Sequence, residues 1–259
     1  MNKGNRILEI DFTRGIAVLL MIIAHIGMFG LITFKNFGKK INLNSSAIMF
    51  DGIGTIAHTL FILLVGVNMV TSFNHTKQKF ENESEDKIKR EFAKKNIRRA
   101  IVIFCLGILI SVIVKVVFGK WLVFFGIFQF IAVSILLAIP FTIYYKDLIN
   151  IIAVIVILLV SNLSNNYHPS GLSGFLTGNI SNKYLDYFPI IPYFSFVLIG
   201  ITLGNILKHT NISGFNKKEN VVTKKIIYMG QNSIKIYFAH LVTIFAVMKL
   251  IFWNKMIKI

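Results

Sequence analysis

The sequence predicts an all-α fold, a polytopic integral membrane helix bundle. Hydrophobic residues make up 55% of the 259-residue chain, and the mean hydropathy is +0.69. Charged residues are only 15% of the chain, which is a composition that a soluble domain of this length does not have. The apolar residues are also gathered into segments close to the roughly 20 residues that a helix needs to cross a bilayer.

Seven such segments are expected to span the membrane, or more if the last region is split. No soluble appendage interrupts them, so the sequence predicts one transmembrane domain over residues 1–259. The first segment is not followed by a small-residue cleavage site, which indicates a retained span. The segments cover about residues 11–33, 51–73, 97–118, 121–145, 147–163, 187–207 and 231–253.

The net charge of +17 follows membrane topology. With the N-terminus in the cytoplasm, the inner connections hold about twice as many Lys and Arg residues as the outer ones. We therefore expect a multi-pass protein of the cell (inner) membrane with a cytoplasmic N-terminus. Contact of the basic connections with anionic lipid explains the charge, so no nucleic-acid partner is predicted.

Ionisable residues lie on one face of the first predicted helix. In the stretch EIDFTRGIAVLLMIIAH, Asp11 precedes Arg14 by three residues, and His25 follows Arg14 by eleven. At 3.6 residues per turn, Arg14 and His25 share a face about 16 Å apart along the axis. Because ionisable groups in hydrocarbon are costly and usually functional, we expect this face to line a bundle interior or a wet cavity.

Polar residues in three other spans are candidates for the same interior. His58 is expected at a depth similar to that of His25, and Gln129 lies mid-span among phenylalanines, where it needs a partner such as Arg14 or substrate. In the last span, polar residues follow at i, i+4 and i+7, after a segment that indicates a helix break: Ser233, Tyr237 and His240. Each of these side chains has a structural alternative, a hydrogen bond across a helix interface.

The chain resembles a family of membrane enzymes. The opening motif R-x-x-E-I-D-F-x-R-G-I-A from Arg6 to Ala17, followed by His25, is similar to that of bacterial members of the heparan-alpha-glucosaminide N-acetyltransferase catalytic-domain family, within the transmembrane acyltransferase superfamily. Four later motifs resemble the family in the same order: LFILLVG at 60–66, GIFQFIA at 126–132, DYFPIIPY with LIGITLG at 186–204, and GQNSIKIYFAH at 230–240.

The resemblance implies an acyltransferase that moves an acyl group, most simply acetyl, from a cytoplasmic acyl-CoA to a hydroxyl or amine of a cell-envelope glycan. The lysosomal members carry their proposed catalytic histidine just before the second span. Here that region reads SSAIMFDG, residues 45–52, without a histidine. This departure moves the catalytic role to His25, the position at which other transmembrane acyltransferases resemble this chain. Chemistry gives an independent reason, because proton abstraction near neutral pH suits an imidazole.

The candidate site residues can then be assigned to catalysis, to donor binding or to acceptor binding. The catalytic set is His25, Asp11 and His58; the donor phosphates would meet Arg14, Arg98 and Arg99; the acceptor would meet Gln129, Ser233, Tyr237 and His240. For Arg98 and Arg99 the alternative is a basic flank of a span. The chain has no HExxH, CxxC or Walker A pattern, so neither a metal nor nucleotide hydrolysis is predicted.

Two other classes of protein remain open at this point. A transporter or permease would use the same Asp, Arg and His face to pass protons or a solute. A structural or assembly partner would need the face for packing only. Release of free CoA in detergent without a gradient distinguishes the enzyme from the transporter.

Overall fold

The computed structural model describes residues 7–36, 43–118, 123–167, 170–179, 186–209 and 220–251. Within these ranges the chain forms nine helices and one two-stranded sheet, which confirms the predicted helix bundle. The elements are α1 (Leu8–Asn36), α2 (Leu43–Lys79), α3 (Glu85–Phe118), β1 (Val123–Phe125), α4 (Ile127–Ile143), α5 (Asp147–Tyr167), α6 (Gly171–Thr177), β2 (Asp186–Tyr187), α7 (Ile190–His209), α8 (Val221–Gln231) and α9 (Ser233–Ile251).

Every one of the seven predicted apolar segments contains a helix. Five helices in the described ranges are long and apolar enough to cross a membrane: Leu8–Leu31, Ile48–Lys79, Glu85–Val116, Asp147–Ser164 and Ile190–Lys208. Two shorter apolar helices, Ile127–Ile143 and Ser233–Ile244, account for the fourth and seventh segments. The last region is split, because α8 ends at Gln231 and α9 begins at Ser233.

The polar connector between the second and third spans is mostly helix. α2 continues to Lys79 and α3 already begins at Glu85. Ser84 precedes α3 and accepts the Lys87 amide N–H at 3.4 Å, as an N-cap does, and an ion pair of 3.0 Å joins Glu85 to Lys89. The charged sequence therefore extends two spanning helices beyond their apolar lengths.

The described residues cluster into two compact units. Unit 1 comprises Met1–Phe61 and Ser213–Ile259, and unit 2 comprises Ile62–Ile212. In unit 1, α8 runs antiparallel to α1, with Ile226 against Gly15 and Gly230 against Asp11. α9 then contacts α1 as well, so α1 is the central helix of this unit.

Unit 2 packs through small residues and buried amides. A Cβ on Gly66 or on Gly200 would overlap a backbone carbonyl oxygen of the facing helix, so α2 and α7 are in direct backbone contact here. Asn150 Nδ2 donates to the Leu198 carbonyl and to Thr202 Oγ1, both at 2.8 Å, and so ties α5 to α7. β1 pairs in parallel with β2.

Candidate active site

The charged residues of α1 form an ion pair at its N-terminal end. Arg14 Nη1 donates to Asp11 Oδ1 at 2.9 Å, which is the i, i+3 contact that the spacing predicts. Asp11 is buried, with 6% of its surface exposed. A buried carboxylate is stable only when it is paired, so Arg14 and Asp11 hold each other in place.

The junction between α8 and α9 completes this cluster. Gln231 Nε2 donates to Asp11 Oδ2 at 3.3 Å, and the Gly230 carbonyl lies 3.5 Å from Arg14 Nη1. Asp11 therefore accepts a hydrogen bond on each oxygen. We call Asp11, Arg14, Gly230 and Gln231 the carboxylate cluster. The sequence predicts Gln231 only as part of the helix break in the G-Q-N-S segment and gives it no role in the site.

Two glycines allow this close approach. A Cβ on Gly15 would overlap the Ile226 carbonyl oxygen, and a Cβ on Gly230 would overlap that of Asp11. Only residues without a side chain let α1 and α8 meet backbone to backbone. This contact brings Gln231 within reach of Asp11, and it explains the glycine in both the first and the last motif.

An imidazole pair lies further along α1. His25 Nδ1 is 2.9 Å from His240 Nε2, and the two ring planes are inclined by 22° with their centroids 5.2 Å apart. His240 Nδ1 is in turn 3.1 Å from the Ile236 carbonyl oxygen of α9. The Tyr237 ring meets His240 edge-on, at 5.1 Å and 90°. The structure thus brings His25, Tyr237 and His240 together.

The expected depth of His58 is wrong. The Phe50 ring packs on Gly27, and a Cβ on Gly54 would lie 3.6 Å from that of Ala24, which fixes the antiparallel register of α2 against α1. His58 then lies at the level of about residue 20, roughly 7 Å from the level of His25 towards Arg14. The second imidazole at His25 is that of His240.

The remaining candidates are separate from these contacts. Ser233 is the first residue of α9, two turns before His240. In unit 2, Gln129 Nε2 donates to Ser111 Oγ at 2.8 Å, and the Gln129 side chain packs on Gly107. Ser111 is thus the hydrogen-bond partner of Gln129, where Arg14 or substrate was expected from the sequence. Arg98 and Arg99 are exposed on α3. Within the described ranges, no three His, Cys, Asp or Glu side chains are grouped to hold a metal ion.

Asp186 is a half-buried acid that stands in one of the quoted motifs but was not singled out from the sequence. It begins β2, and its Oδ2 occupies the space that a Cβ on Gly126 would need. Burial raises the pKa of Asp186 to about 6, while a hydrogen bond from the Ile127 amide at the start of α4 acts in the opposite direction. The carboxyl group thus caps the N-terminus of α4.

Asp186 should make the stability of the protein depend on pH. Since its pKa is raised from 3.8 to about 6, the folded chain keeps this proton where the unfolded chain has lost it. The contribution of protonated Asp186 to the free energy of unfolding is therefore fully present below about pH 4. It is lost between about pH 4 and 6, and the free energy does not change further above about pH 6 on account of this group. The melting temperature in detergent should therefore fall between about pH 4 and 6 in the unsubstituted protein. We expect Asp186→Asn to remove this part of the dependence of melting temperature on pH, measured from about pH 4 to 7.

Asp86→Asn is the matched control, because Asp86 is exposed on α3. Its melting temperatures should follow those of the unsubstituted protein across the same range. An Asp186→Asn protein with an unchanged slope would show that the carboxyl group does not keep its proton on folding.

The fold and the site define a class: a multi-span membrane protein whose first helix carries a part-buried ion pair and shares an imidazole pair with the last helix. Residues 6–242 match the family described as heparan-alpha-glucosaminide N-acetyltransferase, catalytic. Because the match covers nearly the whole chain, the protein belongs to this family. No curated protein and no solved structure matches the chain.

Proposed function

We propose that the protein is a membrane acetyltransferase that moves an acetyl group from cytoplasmic acetyl-CoA to a hydroxyl or amine of a cell-envelope glycan. The observation that carries the proposal is the arrangement along α1. It places a part-buried ion pair at Arg14 and an imidazole pair at His25, about 16 Å further along the same helix. An extended pantetheine arm is long enough to bridge such a separation.

In this proposal His25 is the general base. The acceptor oxygen or nitrogen forms a bond to the acetyl carbon, and the thioester C–S bond breaks. The acceptor proton passes to His25 and from there to the CoA thiolate, so that charge and atoms balance. Tyr237 lies beside both rings of the imidazole pair and would contact the acceptor. His58, between the levels of Arg14 and His25, would contact the arm of the donor.

The direct test is transfer of labelled acetyl groups. Purified protein in detergent is incubated with labelled acetyl-CoA and fractionated envelope glycans, and free CoA and labelled glycan are measured together. Release of CoA matched by label in one glycan fraction supports the proposal. Absence of both, with proton or solute flux in proteoliposomes, would support the transporter instead.

A cytoplasmic donor requires the Arg14 end of α1 to face the cytoplasm. Glu83 lies in the turn between α2 and α3, and Asn166 lies in the last turn of α5. In a Cys105→Ser background, we expect a cysteine at Glu83 to resist an impermeant thiol reagent in intact cells and one at Asn166 to react. The reverse pattern would place the carboxylate cluster on the outer side and exclude a cytoplasmic donor.

Arg14 is the proposed phosphate contact, and its replacement by lysine separates charge from geometry. Arg14→Lys keeps the positive charge beside Asp11 but loses the planar fork that binds phosphate through two hydrogen bonds. We expect the KM for acetyl-CoA to rise about tenfold with the protein level unchanged. An unchanged KM in a well-folded Arg14→Lys protein would limit Arg14 to holding Asp11.

A further inference from the structure

We propose that His240 is a positioning residue that fixes the tautomer of His25, so that Nε2 of His25 is the nitrogen that takes the acceptor proton. The inference rests on the proposed function for this last step. The tautomer itself follows from hydrogen bonds in unit 1 and is measurable without activity.

The backbone of α9 determines which nitrogen of His240 carries the hydrogen. His240 Nδ1 is 3.1 Å from the carbonyl oxygen of Ile236, one helical turn earlier. A carbonyl oxygen only accepts hydrogen bonds, so this nitrogen carries the hydrogen. A neutral imidazole has one N–H, and therefore the Nε2 of a neutral His240 has a lone pair and accepts.

The hydrogen bond between the two imidazoles extends this constraint to His25 on α1. His25 Nδ1 lies 2.9 Å from His240 Nε2, and since that nitrogen accepts, His25 Nδ1 must donate. In the neutral pair, His25 Nε2 is then the nitrogen with the lone pair, which is what a general base needs. Free imidazole side chains favour the opposite tautomer, so the pair reverses an ordinary preference.

Packing keeps the two rings in this relation. The rings are inclined by only 22°, and Tyr237 is edge-on to both, 5.1 Å from His240 and 6.4 Å from His25. Ile236, Tyr237 and His240 all belong to α9, so one helical turn supplies the carbonyl, the ring wall and the acceptor nitrogen. His240 acts on the reaction through His25 and needs no contact with the acceptor.

Two substitutions of His240 separate this role from packing. In His240→Gln the side-chain oxygen can still accept from His25 Nδ1, whereas in His240→Leu nothing accepts. We expect His240→Gln to lose less than about tenfold in kcat, and His240→Leu to lose at least about tenfold more, with the KM for acetyl-CoA unchanged in both. His75→Gln is the control, because His75 is exposed near the C-terminal end of α2.

The tautomer is read by nitrogen-15 NMR of histidine-labelled protein in lipid, with the His25 signals identified from their absence in His25→Gln. We expect Nδ1 of His25 to be protonated and Nε2 bare, and the opposite tautomer to grow in His240→Leu. A bare Nδ1 on His25 in the unsubstituted protein would overturn the inference even if acetyl transfer is observed.

The kinetic outcomes are equally decisive. A His240→Gln protein as impaired as His240→Leu would show that the imidazole of His240 itself titrates or binds substrate. An active His240→Leu protein would reduce the pair to packing. If no acetyl transfer is found at all, the NMR result still decides the tautomer, so failure of the proposed function is distinguishable from failure of this inference.

Discussion

His25→Gln should lose about 100- to 10,000-fold in acetyl transfer, which is the usual contribution of a positioned general base. Glutamine keeps a hydrogen-bonding side chain of similar size opposite His240, but it cannot take a proton. Binding of acetyl-CoA should survive, because the carboxylate cluster that we assign to the donor lies about three turns away on α1. Initial rates, together with an equilibrium binding measurement for the donor, check both parts.

His75→Gln is the matched control, since the same substitution on an exposed face of α2 should leave the rate unchanged. The rate of acetyl transfer by the unsubstituted protein should fall as the pH is lowered, because the general base is then protonated. Near-normal transfer by a folded His25→Gln protein would remove His25 as the base, and the test would pass to His58 and His240.

Local contacts of the site were predictable because helical periodicity determines them. A spacing of three residues places Arg14 beside Asp11, and the structure has that ion pair at 2.9 Å. The polar G-Q-N-S segment likewise predicts a break before Ser233, and α8 ends two residues before it. Neither result depends on which helices are neighbours.

Contacts between distant segments were not predictable in this way. The depth of His58 was inferred from the ends of the apolar segments, but α2 begins at Leu43, before its apolar segment, and its register is set where Phe50 packs on Gly27. Hydropathy reports how long a span is and carries no information on such a contact. The error of about five residues in depth follows from this.

The partners of buried polar groups were missed for the same reason. Gln129 requires a hydrogen bond wherever it is buried, and this requirement was predictable. Ser111 supplies it from α3, because Gly107 leaves room for the glutamine side chain. Gln231 likewise contacts Asp11 at 3.3 Å, and His240 contacts His25 at 2.9 Å. In both pairs the partners are more than 200 residues apart in the chain.

Gly15→Ala should destabilise the protein strongly, although alanine is the better helix former. A Cβ at this position overlaps the Ile226 carbonyl oxygen, and α8 must move away from α1 to admit it. Overpacking of this kind typically costs about 1–3 kcal/mol, more than the roughly 1 kcal/mol that alanine gains in a helix. We expect a lower melting temperature in detergent and a smaller monodisperse fraction.

Gly30→Ala on the same helix is the control, because no described atom lies within 4 Å of the Cβ that it would add. It should melt at or slightly above the temperature of the unsubstituted protein. The separation of α8 in Gly15→Ala should also withdraw Gln231 from Asp11, so any folded fraction should bind acetyl-CoA more weakly. If Gly15→Ala instead melts as high as Gly30→Ala, the backbone contact between α1 and α8 does not hold the carboxylate cluster together.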